Sequence, residues 1–185
     1  MTMKKFVVLI PWVNLWTQVW FFLPLAALLL IVQPLPVFAG ETLFRPSGCE
    51  FSVAFPNAPK VQSINTNQGA MQQAILEHGT SLFRAECGTR NKEDMATFQK
   101  RIRESLLHQA NLAGLENPSA EVESSTIGTI GIYRGLKKVG EEFYQYTSRV
   151  YFGKRTMFQV LLMEPSRQSP TIIGNSFLNS VKRYR

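Results

Sequence analysis

The sequence predicts an α+β sandwich, an antiparallel sheet flanked by a long central helix and a C-terminal helix. Three observations carry that expectation. Residues 48–55, "GCEFSVAF", alternate apolar and polar side chains with a period of two. Residues 91–114 carry an apolar stripe at spacings of three and four. From residue 121 to 165, four stretches rich in β-branched and aromatic residues follow one another, with glycines between or within them.

The chain has 185 residues and only two charges before residue 40, Lys4 and Lys5. Residues 40–185 therefore keep 18 of the 20 basic and all 13 acidic side chains, a net charge of +5. A body of that length buries roughly two-thirds of its unfolded surface, so it folds without a metal or dense disulfides. The N-terminus reads as an export signal: "MTMKK" is a basic start and "VWFFLPLAALLLIV" (19–32) an apolar core. Pro34 and Pro36 break any helix there, and "VFA" (37–39) sets up a cut between Ala39 and Gly40. The rival reading is an uncleaved anchor over residues 6–32, with Lys4 and Lys5 inside. Asn14, Thr17, Gln18, Pro11 and Pro24 weigh against it. Both readings place the body in a periplasmic or extracytoplasmic space. The organisation is thus residues 1–39 as signal or anchor and residues 40–185 as one α+β domain. "RPSGC" before Cys49 is too polar, and too far from the apolar core, for lipid attachment.

In order, "CEFSVAF" is a half-buried strand with Cys49, Phe51, Val53 and Phe55 inward, stopped by the "PNAP" turn. "SINTNQGA" (63–70) is polar and reads as a loop. "MQQAILEH" (71–78) and "TSLFRAEC" (80–87) flank Gly79 as a hairpin, helix and loop remaining open for the first. Cys87 shares the apolar face of Ser81, Phe83 and Ala85. The central helix begins at Asn91, with Glu93 and Asp94 at its positive end and Gly114 ending it in a left-handed turn. Met95, Phe98, Ile102 and Leu106 make its apolar stripe, with Lys100, Arg101, Glu104 and His108 opposite. After "NPSA" come the strands "EVESSTI", "IGIYRGLKKV", "EFYQYTSRVYF" and "RTMFQVLLME", with Gly128, Gly131, Gly135, Gly140 and Gly153 as turns and bulges. A last helix starts near Ser169-Pro170, turns Ile173, Phe177, Leu178 and Val181 inward, and ends on Lys182 and Arg183.

The opening "FSVAFPNAP", the central helix, the aromatic strand pair "YTSRVYFGKRTMFQVLLMEP" and the closing "NSFLNSVKR" resemble the PsbP/DcrB-like superfamily. The resemblance covers nearly all of residues 40–185 in order of elements, through short and mainly structural motifs. It implies an antiparallel sheet flanked by helices and an extracytoplasmic assembly or accessory protein. It brings no common catalytic constellation, and this chain lacks the lipid-attachment cysteine of many bacterial DcrB-like members.

Two cysteines in an exported chain meet an oxidising compartment, where Cys49 pairing with Cys87 is the expectation and two buried thiols the alternative. The pairing requires Cα atoms within roughly 7 Å. Nothing else in the sequence assembles a reactive site. His78 and His108 are the two histidines and Asp94 the single aspartate; no G-x-S-x-G elbow occurs. Glu77 and His78 are adjacent and point apart on a strand, so they do not chelate together, and no Cys/His cluster marks a metal or cofactor. "GTIGIYRG" (128–135) lacks the G-K-[ST] ending of a phosphate loop. Basic residues cluster at Lys100-Arg101-Arg103, Lys137-Lys138, Lys154-Arg155 and Lys182-Arg183-Arg185. Dispersed in this way, they fit an acidic protein partner or an anionic membrane surface better than nucleic acid. The expected function is an exported, non-enzymatic accessory or binding protein. The alternatives are a small hydrolase with a spatially assembled site and a module with an apolar pocket between sheet and helix.

Overall fold

A computed structural model describes residues 40–66, 69–89 and 101–184. Ten strands appear in chain order: β1 (Thr42–Phe44), β2 (Phe51–Phe55), β3 (Lys60–Thr66), β4 (Gly69–His78), β5 (Ser81–Thr89), β6 (Glu116–Ser125), β7 (Gly128–Val139), β8 (Glu142–Phe152), β9 (Thr156–Pro165) and β10 (Lys182–Arg183). Two helices join them, α1 (Ile102–Leu112) and α2 (Ile172–Asn179). Seven strands form one antiparallel sheet in the order β3-β4-β5-β9-β8-β7-β6, and three form a small second sheet, β1-β2-β10. The large sheet is two meanders, 3-4-5 and 6-7-8-9, zipped together by β5 and β9 from Leu82↔Met163 to Thr89↔Thr156. The small sheet unites the two ends of the domain, because β1 and β10 both pair with β2.

The large sheet is covered on both faces. One face packs its Phe83, Phe158, Val160 and Leu162 against the small sheet and α2. The rings mesh there: Phe51 stacks on Phe158 with centroids 5.9 Å apart, and Phe177 of α2 meets Phe55 at 5.0 Å and Phe83 at 5.2 Å. All five of these phenylalanines are essentially fully buried, each stabilising the fold by about 1.5–3 kcal/mol relative to exposure. The opposite face receives α1, whose buried Leu106 and Ala110 lie with Leu115, Tyr133 and Leu161.

The α+β class, the antiparallel sheets, the "PNAP" stop, the four long strands and the closing helix agree with the sequence reading. "MQQAILEH" is strand β4, which settles the alternatives left open for it. Four expectations change. Sheet dominates, and the helix described on the central stretch has eleven residues, Ile102–Leu112. Asn91, Glu93, Asp94, Met95, Phe98 and Lys100 lie outside the described residues, so the long central helix is not established. Where it is described, the stripe holds, with Ile102 half-buried and Leu106 buried, and the chain leaves α1 through Gly114 at φ +67°.

The polar "SINTNQGA" is mostly strand, because β3 is an edge strand whose residues 60–65 are largely exposed and carry no apolar alternation. Gly131 makes no bulge, its partners running in unbroken register on both sides, whereas Gly135 lies opposite an irregularity in β6 between Glu116 and Ser119 while its register with β8 is unbroken. They are glycines because α1 and the segment after it approach closely: a Cβ at 131 meets Leu106 at 2.7 Å, and one at 135 meets the Leu115 Cβ at 2.9 Å. Finally, Lys182 and Arg183 do not end the last helix. Ser180 closes α2, and the next residues turn extended to pair with Ser52 and Phe51 of β2. The helix is capped by Thr171, whose hydroxyl accepts from the Gly174 N–H at 2.9 Å, two residues beyond the expected cap Ser169.

Candidate functional site

Three consecutive residues at the start of β2 fasten the small sheet to the large one. Cys49 is bonded to Cys87 of β5 with Cα atoms 6.3 Å apart. The bond runs between layers, from the loop before β2 to the inward face of β5, so no strand intervenes. Cys49 is held in place by its N–H donating to the Pro46 carbonyl at 3.2 Å.

Glu50 follows, and its carboxylate is a junction. One oxygen accepts the Lys154 N–H at 2.6 Å and the Arg155 N–H at 3.3 Å, both from the β8–β9 turn. The other accepts from Arg183 at 2.8 Å, and the Glu50 carbonyl accepts the Tyr184 N–H at 2.8 Å. Gly153 is needed beside it, since a Cβ there lies 2.6 Å from the carboxylate. Partial burial pushes the Glu50 carboxyl upward, but the Arg183 hydrogen bond, the two turn N–H groups and the Arg183 charge outweigh it. Together they hold Glu50 below its ordinary value.

Arg183 is fixed by more than Glu50. Its guanidinium also donates to the Ile127 carbonyl at 3.3 Å and sits 5.5 Å from the Phe51 ring centroid. One residue on, Tyr184 takes the other side of β2, where its hydroxyl accepts from the buried Ser52 hydroxyl at 3.1 Å. Ser52, solvent-facing by alternation, is thereby covered. Arg45 stacks over the Tyr184 ring at 4.0 Å. The side chains of Arg45, Lys154, Arg155 and Lys182 are exposed. The backbones of two basic clusters distant in sequence, 154–155 and 182–183, thus meet at Glu50 and its β2 neighbours, with Arg45 on the Tyr184 ring beside them. Only the pairing of β10 with β2 brings them together, and no local sequence signal announces a two-residue strand.

The other sequence candidates stay apart from this junction. His78 is exposed at the end of β4, its Nδ1 3.3 Å from the Asn57 amide nitrogen. His108 is exposed on α1, and Asp94 lies outside the described residues, as does Ala39 of the expected cleavage site. Gly40 is described, with φ +64°. Among the described residues no three His, Cys, Asp or Glu side chains cluster as a metal site. No helix among them is long and apolar enough to cross a membrane. Between α2 and β2, where an apolar pocket was an alternative, a dent of about 20 Å³ lies beside Pro56, Ile173 and Phe177, room for a single water.

A polar set, buried at Tyr133, Ser148 and Gln73 and opening to solvent at Gln62, crosses the α1 face of the large sheet. Gln159 donates to the Tyr133 hydroxyl at 2.6 Å and to Ser148 at 2.7 Å, and Gln62, Gln73 and Glu86 are bonded in a row across β3, β4 and β5. Burial, with Tyr133 beside it, drives the Tyr146 phenol far above its ordinary range, so it stays protonated. The arrangement satisfies buried polar groups and ties strands together.

No family model matches the chain, and no curated protein matches it. Among solved structures it is similar to the solution structure of cyanobacterial PsbP (CyanoP) from Synechocystis sp. PCC 6803, with a TM-score of 0.52 and 10% identity over 79% of this chain and 94% of that one. A crystal structure from Bacteroides thetaiotaomicron VPI-5482 gives a TM-score of 0.48 and 14% identity over 79% of this chain. The chain spans about half the length of that protein, 49%. The chain has a PsbP-like fold.

Proposed function

We propose that this is an exported, non-enzymatic accessory protein that works by binding a macromolecular partner, at a membrane surface or on a protein. The observation that carries the reading is where the exposed chemistry lies. The sheet faces are spent on the core, while a set of cations is gathered at one end of the domain by the termini and the β8–β9 turn. A charged, exposed end suits recognition of another surface. The PsbP-like fold and the Cys49–Cys87 bond support the accessory role and an oxidising compartment.

The test is crosslinking of the full chain at native expression, with identification of the captured molecules and N-terminal sequencing of the recovered chain. A reproducible partner set and a start at Gly40 are expected. Capture of nothing above background, together with hydrolysis of a small ester or peptide that is lost on substituting His78 or His108, would favour the enzyme alternative.

A further inference from the structure

We propose that the cationic rim formed by Arg45, Lys154, Arg155 and Lys182 docks an acidic segment of a protein partner. This deepens the binding reading above and rests on it. The segments that carry these cations meet at Glu50 and β2, and the Glu50 carboxylate is neutralised internally by Arg183. None of the four rim cations has an ion-pair partner among the described residues. They sit on three segments brought together by the Glu50 contacts and by β10, so the positive field is a product of the tertiary fold.

An acidic polypeptide is favoured over a lipid surface because Arg45 and the backbone that bears the other three cations are held in place. Arg45 is stacked on Tyr184, itself tied to Ser52 and the Glu50 carbonyl. The turn bearing Lys154 and Arg155 is clamped through its own N–H groups. A planar guanidinium held in one orientation matches the fork of a carboxylate, and prior ordering lowers the entropy lost on binding. A fluid array of headgroups is bound as well by mobile lysines and gains little from such ordering.

The chain as recovered from cells is titrated at low salt with a fluorescent decaglutamate peptide and, separately, with phosphatidylglycerol vesicles. Saturable peptide binding is expected, weakening as salt rises and falling about tenfold or more in the double variant K154E/R155E and in R45E. Circular dichroism checks that both variants fold; the reversed side chains leave the backbone clamps on Glu50 in place. Absence of peptide binding, or binding unchanged by charge reversal, overturns the proposal. So does vesicle capture as strong as peptide capture, or self-association that blocks the peptide. The crosslinking experiment, repeated with K154E/R155E, separates the two levels. Partners kept by the reversed rim overturn the rim and leave the binding reading standing, whereas no partner for either chain removes the binding reading itself.

Discussion

Removing the Cys49–Cys87 bond is the perturbation whose size follows most directly from the structure. The bond closes a loop of 38 residues, which takes in β2, β3, β4 and most of β5. Chain-entropy closure of a loop that long destabilises the unfolded state by about 4 kcal/mol at room temperature. Little opposes this in the folded protein, because Cys87 is 6% exposed and Cys49 packs on the same core. The double variant C49S/C87S keeps both positions small but places two hydroxyls near apolar surroundings, so C49A/C87A is the cleaner comparison. Urea unfolding followed by circular dichroism reads the difference. With a denaturant slope of about 2 kcal/mol per molar for a domain of this size, the midpoint should fall by about 2 M. Reduced wild-type protein should fall with it. Equal midpoints for oxidised, reduced and C49A/C87A protein, or two alkylatable thiols in the non-reduced chain, would refute the reasoning.

Three further outcomes are expected. Glu50 is held below its ordinary value of 4.5 in the folded state, so its contribution is present above the unfolded value and is lost as pH falls through the folded one. Urea midpoints should therefore stay level down to about pH 5 and drop below it, and Glu50→Gln should be less stable at neutral pH but lose less on acidification. Gly135→Ala should destabilise more than Gly131→Ala, within about 1–3 kcal/mol for overpacking. The added methyl at 135 meets a Cβ at 2.9 Å and the Glu116 carbonyl at 3.0 Å, whereas that at 131 meets only the tips of Leu106; thermal midpoints order the two. Thr171→Ala should cost about 2 kcal/mol in urea unfolding, because it removes the α2 cap and the hydroxyl that donates to buried Glu164 at 2.5 Å. Thr171→Ser should restore most of it.

What was legible in the sequence divides along physical lines. Apolar alternation in the sequence marked β2 and β5, and β5 buries Phe83, Ala85 and Cys87 at period two; β7, β8 and β9 are covered on both faces and were legible through their β-branched and aromatic content instead. The cysteine pair was legible for a compositional reason, two thiols in a chain whose N-terminus reads as an export signal. The edge strand β3 was not, since alternation is absent where few side chains are buried. Nor was β10, because two residues carry no period; its pairing depends on an open edge of β2 more than a hundred positions earlier. The candidate site failed to show for the same reason. Lys154, Arg155 and Lys182 read as members of dispersed basic clusters and Arg45 was not singled out, and the meeting of their segments depends on Glu50, whose role requires knowing which turn lies beside it. The purpose of Gly131 and Gly135 in "GTIGIYRG", room for α1 and the residue after it, belongs to packing that sequence spacing does not encode.

Cys49, Glu50 and Phe51 bear the attachment of the small sheet by three kinds of bond in succession. Cys49 is covalent to β5, Glu50 is ionic and hydrogen-bonded to the β8–β9 turn and Arg183, and Phe51 is apolar, against Phe158 and Tyr151. Each fails under a different stress: reductant, acid and denaturant. Loss of one leaves two to hold the register of β2 against the large sheet, so the layers stay docked across changes that would release a single kind of contact. The rim lies on the same anchor, since Arg45 is four residues before Cys49 and the 154–155 turn is clamped by Glu50 itself. Its charge geometry is therefore as durable as the junction between the sheets, which is what a surface that recognises by fixed positions requires.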